Sequence, residues 1–217
     1  MRKWIPLLIV IAAFAASAIV YPRLPEMLPT HWNGMDAQPN GWSSRVVGAW
    51  LTPVLLLGIW ALVRVLPAID PRGANYAKFG GAFEAIIDSV MLFLLGMHIV
   101  LLRAALGYPV QMERIVPFGI GVLLIVIGNL LPRCRPNWFV GIRTPWTLSS
   151  DRVWEKTHRF GGRLFVAAGF LIAAAALFWV QWVHVVLITS ILLATAAVLI
   201  YSYLEWKREQ SPASAVS

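Results

Sequence analysis

Six apolar blocks separated by polar segments dominate the chain, at 4–21, 49–69, 79–105, 115–131, 164–180 and 184–204. Crossing about 30 Å of hydrocarbon at about 1.5 Å per residue takes roughly 20 apolar residues, so each block predicts a transmembrane helix. Helices are required there because hydrocarbon offers an open backbone no partner. The polar positions then fall into an outer loop over 22–48, a short turn over 70–78, a long insert over 132–163 and a tail over 210–217 expected to be disordered. Six spans leave no room for a soluble domain. The predicted fold is all-α, a polytopic membrane helical bundle built as a single integral domain over 1–217.

Composition agrees with the pattern. The 217 residues are 59% hydrophobic and 13% charged, with a mean hydropathy of +0.72, whereas soluble domains are nearer a quarter charged. The net charge of +8 is unevenly placed. Arg2 and Lys3, then Arg72 and Lys78, then the insert, then Lys207 and Arg208 share one side if both termini are cytoplasmic, as the positive-inside rule requires. The opposite loops balance Arg23 and Arg45 against Glu26 and Asp36, and Arg114 against Glu113. The basic balance therefore reads as cytoplasmic loops on an anionic leaflet, with membrane lipid as partner and no direct nucleic-acid binding. The first block also resembles a signal peptide ending at Ala16-Ser17-Ala18. Apolar residues continue to Val20 and six spans explain the charge pattern, so a retained helix is the favoured reading.

Trp4, Trp50, Trp179, Trp182 and Trp206 fall at predicted span ends and read as interfacial anchors. Pro6, Pro53 and Pro117 lie near span starts, where a missing N–H costs least. The single Cys134 excludes an internal disulfide; Arg133 and Arg135 beside it favour a lowered thiol pKa, though a lone cysteine is usually incidental.

Ionisable residues inside spans are costly and usually paired. Arg64 lies in span two, and Glu84 and Asp88 lie one turn apart on span three. The short turn makes these spans antiparallel neighbours, with Arg64 and Glu84 at similar depth and Asp88 a turn deeper. One reading is an Arg64–Glu84/Asp88 cluster facing the interior; the other has Arg64 and Glu84 snorkelling to the interface with only Asp88 buried. His31, His98 and His184 share the outer side, but none has metal-ligand spacing, so no metal site is assigned and His98 reads as a hydrogen-bonded interior residue.

The outer loop carries prolines with Asn33-Gly34 and Asn40-Gly41, turn chemistry that predicts a compact loop with little regular structure around Trp32 and Trp42. In the insert, Pro132 and Pro136 stop span four and Asn137–Arg143 forms a turn with Gly141. Ser149 or Ser150 caps a helix that starts with Asp151. Val153, Trp154, Thr157, Phe160 and Leu164 then keep helical spacing on one side, and Arg152, Lys156, Arg159 and Arg163 on another. This predicts a basic amphipathic helix in the cytoplasmic interface, bending at Gly161-Gly162 into span five. Asn137, Arg143, Thr144, Trp146 and His158 are neither generic anchors nor turn formers, and read as a polar pocket or docking surface.

Two stretches resemble a known family. Pro29-Thr30-His31-Trp32-Asn33 followed by Gln38-Pro39-Asn40-Gly41-Trp42 is similar to the outer-loop signature of the domain of unknown function found at the N-terminus of SdpI-type proteins. It departs by one inserted residue after Asn33 and by Asn40 in place of the usual Asp. Gly128-Asn129, the run 135–148, Trp154 and Thr157-His158-Arg159-Phe160-Gly161-Gly162 resemble the main signature of the SdpI family. The resemblance implies a multi-pass protein of the bacterial cell (inner) membrane that gives immunity to a secreted, membrane-active toxic peptide. It further implies a receptor role, with the toxin-engaged protein holding a cytoplasmic transcription regulator at the membrane. Neither cofactor nor enzymatic activity is expected. Two rival readings use other residues. A small-solute or proton-coupled transporter would use Arg64, Glu84, Asp88 and Asn129. An enzyme acting on a lipid phosphate would use Asn137, Arg143 and His158, but it lacks a nucleophile–base pair.

Overall fold

A computed structural model describes residues 4–33 and 38–211. Six of its helices are long and apolar enough to cross a membrane. In chain order the elements are α1 (Ile5–Val20), the strands β1 (Met27–Trp32) and β2 (Pro39–Ser44), α2 (Arg45–Ile69), α3 (Tyr76–Ala105), α4 (Met112–Leu130), the one-turn α5 (Pro145–Ser149), α6 (Asp151–Phe178) and α7 (Val183–Glu209). The spans alternate in direction. One end of the bundle, the hairpin face, carries β1 and β2; the other, the loop face, carries the 131–150 segment, the start of α1 and the end of α7. The helices pack as two trios, α1–α2–α3 and α4–α6–α7, joined mainly through α3 and α4.

Several helices begin earlier than the apolar blocks. Ser44 caps α2 by accepting the Val47 N–H, and polar first turns extend α2 and α4 past their hydrocarbon stretches. Pro53 and Pro117 consequently sit inside helices rather than at their starts. Only Pro6 keeps a first-turn position. Residues 212–217, expected to be disordered, lie outside the described residues.

Two expectations are corrected. The outer loop contains regular structure, an antiparallel hairpin pairing Met27 with Ser44 and Trp32 with Pro39. Both strands are edges, so prolines at 29 and 39 cost little there. Trp42 is 56% exposed and presents outward instead of filling an aromatic centre. Nor is there a separate interfacial helix or a bend at Gly161-Gly162: the basic segment forms the first turns of the continuous helix α6. Both glycines are buried against neighbouring elements, so their role is close approach.

At Gly162 that approach brings two helix backbones together. A Cβ built on Gly128 of α4 would lie 2.6 Å from the Gly162 carbonyl oxygen of α6, and one on Gly162 would lie 2.6 Å from the Gly128 oxygen. Gly121 and Gly169 repeat the arrangement two turns away, at 2.7 and 2.5 Å. With little hydrophobic force between helices in lipid, such small-residue contacts hold spans together through backbone van der Waals packing.

Towards the hairpin face, His98 Nε2 meets Ser17 Oγ at 2.8 Å, and Ser17 donates to the Ala49 carbonyl at 2.6 Å. This buried link ties α1, α2 and α3 together and agrees with the reading of His98 as an interior residue.

Candidate functional site

The loop face is organised by a buried polar knot. Leu131–Arg133 forms a 3-10 turn that ends α4, after which the chain must satisfy its own backbone groups while packed over the bundle. Asn137 does most of this locally. Fully buried, it donates through Nδ2 to Arg135 O (2.9 Å) and Val140 O (2.8 Å), and its Oδ1 accepts from Phe139 N–H (2.9 Å) and Val140 N–H (2.7 Å). Both donors and both acceptor sites of the amide are thereby used.

Gly141 follows at φ +121, in a region that disfavours side chains, and a Cβ there would run into His158. His158 needs that closeness. Its Nε2 accepts the Ile142 N–H at 3.0 Å while Nδ1 faces the Trp154 carbonyl at 2.8 Å. Since Nε2 accepts, the proton sits on Nδ1 and the imidazole is neutral. The ring also stacks on Trp154, with centroids 4.0 Å apart. Trp154 is fully buried and donates from Nε1 to Cys134 O at 2.9 Å. Thr144 and Thr147 close a reciprocal capping box that starts α5, and Thr144 reaches Ser202 of α7 at 3.3 Å. Trp146 packs on Tyr203. Thr157 is fully buried.

Residues outside the sequence-derived set complete the knot. Asp70, at the end of α2, accepts from Arg72 N–H (2.7 Å), Tyr76 O–H (3.0 Å) and Trp138 N–H (3.0 Å). Asn75 Nδ2 donates to Pro136 O at 2.8 Å. Glu205, 6% exposed, is gripped by Lys156 at 2.6 Å and Arg208 at 2.7 Å. A short connector and a helix end carry no motif of their own. The only available signal was that Asp70 and Glu205 are acidic residues on the basic side of the chain.

Asn137, Thr144, Thr157 and His158, which the sequence places in a polar pocket or docking surface, all have side chains buried inside the loop they shape. What faces outward is basic. Arg133, Arg143, Arg152, Arg159 and Arg163 are exposed, as is Trp138, whose carbonyl accepts from Arg143 at 2.7 Å. Lys156, Arg135 and Arg72 are spent on Glu205, Glu155 and Asp151. Asn129 does not join the bundle interior: it is exposed and donates back to Ile125 O. Arg64 lies over the Trp60 ring at 4.4 Å and shares a cavity wall with Glu84, while Asp88 is half-buried one turn further along α3. At the hairpin, His31 Nδ1 is hydrogen-bonded to Asn40 Oδ1, with Trp32 and Asn33 half-buried beside them. Asn40 thus serves as the cross-strand partner of His31 at the position where an Asp was expected. Among the described residues no cluster of three or more His, Cys, Asp or Glu forms a metal site.

Cys134 also departs from expectation. Burial, not the flanking arginines, dominates its environment and pushes the thiol up to about 11. A higher pKa leaves less thiolate at any pH below it. Maleimide labelling at pH 7.5 should thus run roughly two orders of magnitude slower in folded protein than in SDS-unfolded protein. Labelling at equal rates would show the loop to be open.

A six-span bundle capped at one face by a polar, tryptophan-centred loop is the class these features define, and the chain belongs to the SdpI family. The SdpI/YfhL protein family matches residues 133–202, and a domain of unknown function, DUF1648, matches residues 8–57. Over 207 residues the chain is 31% identical to Immunity protein SdpI of Bacillus subtilis (strain 168), covering 95% of this chain and 97% of that protein. No solved structure matches.

Proposed function

We propose that this chain is an immunity protein that protects a bacterial cell from a membrane-active toxic peptide. The observation that carries the reading is identity to Immunity protein SdpI along almost the full length of both chains. The hairpin is the natural place to meet a peptide arriving from outside, and the loop face belongs in the cytoplasm, with both termini. Its concentration of arginines and lysines supports that orientation. Deleting the chain from the bacterium that encodes it is expected to sensitise the cell to peptides secreted by itself or its neighbours, with resistance restored by re-expression. Equal survival of deleted and restored cells across those peptides would sink the proposal.

Signal relay is the finer part of the reading. The exposed Arg152, Arg159 and Arg163 present one basic stripe on α6, suited to an acidic surface on a cytoplasmic transcription regulator. Reversing those three charges while leaving Lys156 to hold Glu205 should release such a regulator from membranes in sedimentation assays without lowering the level of the folded chain. Retention at the wild-type level would remove the relay. The transport reading loses Asn129, which faces away from the bundle interior.

A further inference from the structure

The trio α1–α2–α3 encloses a cavity of about 630 Å³ on the side towards the loop face. Most of its wall is apolar, including Pro6 of α1, Val63 of α2 and Ile87 of α3. Two charged groups interrupt that wall. Arg64 is exposed on it, its guanidinium carbon over the Trp60 ring at 4.4 Å from the centroid. Glu84 stands across on α3. The indole N–H of Trp60, also a wall residue, is buried without a hydrogen-bond partner, which is costly for a donor. Gly80 and Gly81 leave one side of the space unfilled, since a Cβ on either meets nothing within 4 Å.

We propose that this cavity is a binding site for one zwitterionic glycerophospholipid of the surrounding leaflet, of the phosphatidylethanolamine type. Every wall element is a membrane-spanning helix, so the solvent at the mouth is lipid. Arg64 lies five residues before the end of α2, about 8 Å along the axis at about 1.5 Å per residue, from where its long side chain reaches the headgroups. An arginine fork suits a phosphate. The Glu84 carboxylate suits the ammonium, and the apolar wall takes the start of an acyl chain. A cation and an anion on one wall favour a headgroup bearing both signs over a purely anionic one. This inference is independent of the immunity reading.

The test uses full-length protein in nanodiscs of equimolar phosphatidylethanolamine and phosphatidylglycerol, released into mild detergent and weighed by native mass spectrometry. Wild type should retain one phosphatidylethanolamine per chain. Gly81→Leu, whose Cβ meets nothing within 4 Å, should lower that occupancy about tenfold by filling the space, and Arg64→Gln about tenfold by the loss of one charge-assisted contact. Glu84→Gln should erase the preference for phosphatidylethanolamine. Gly80→Leu repeats the plug if Gly81→Leu is not monodisperse. Retention unchanged by either plug would mean annular lipid only and overturn the site. Preferential retention of phosphatidylglycerol by wild type would overturn the zwitterionic assignment.

Discussion

Replacing Gly162 by leucine should leave almost no folded protein in the membrane, while the same change at Gly80 should be tolerated. The two glycines belong to the same chemical class but stand in opposite surroundings. At Gly162 the first added carbon already lies 2.6 Å from the backbone oxygen of Gly128. Nothing flexible is available to move aside, so α4 and α6 must separate. Overpacking costs about 1–3 kcal/mol when side chains can adjust, and more when backbone has to shift. Separation would also break the Gly121–Gly169 contact on the same seam. At Gly80 a Cβ meets nothing within 4 Å, and leucine has the better helix propensity. The yield of monodisperse protein in mild detergent, with thermal melting of what is recovered, checks both. A Gly162→Leu protein melting like wild type would show that the two helices do not meet there.

Asn137→Asp should destabilise the loop face by about 3 kcal/mol or more, although it changes the side chain by a single group. The amide donates to Arg135 O and Val140 O. A carboxylate offers those carbonyls no donor and places a charge beside them in a buried site. The loss should be visible without measuring any function, because Trp138, the next residue, is held by Asp70, and Cys134 lies under the same loop. Maleimide labelling of Cys134 should accelerate towards the unfolded rate in Asn137→Asp and stay slow in Arg152→Ala, which removes an exposed side chain of α6. Slow labelling in Asn137→Asp would mean that the loop is held elsewhere.

The six spans were legible because bilayer thickness imposes a length on apolar blocks; the structure moves most of their ends by a few residues, where caps such as Ser44 extend a helix, but starts the fifth at Asp151 instead of 164. The hairpin was not legible. Pro29, Pro39, Asn40 and Gly41 are poor strand formers, and only the pairing of two edges makes them acceptable. Gly161-Gly162 read as a bend because glycine is locally permissive, whereas its use here depends on Gly128 of another helix. The residue types of the loop face marked where polar side chains gather but not which of them are buried. Asn137, Thr144 and His158 are polar because a loop packed over a bundle must satisfy its backbone internally. A sequence shows the polar side chain without showing which N–H or carbonyl it serves. Asp70 went unnoticed for the same reason, since its partner is 68 residues away.

Helix α2 joins the two faces of the protein through a single rod. Its first residue, Arg45, is bonded to Glu26 O and Pro25 O at the base of the hairpin. Its last turn runs straight into Asp70, which grips the Trp138 N–H at 3.0 Å. The rod has 25 residues and is about 37 Å long at about 1.5 Å per residue. A tilt of about 5° pivoting at the hairpin would carry the far end about 3 Å along that lever, enough to take a hydrogen bond from made to broken. The base of the hairpin and the backbone of Trp138 are thus the two ends of one 25-residue lever.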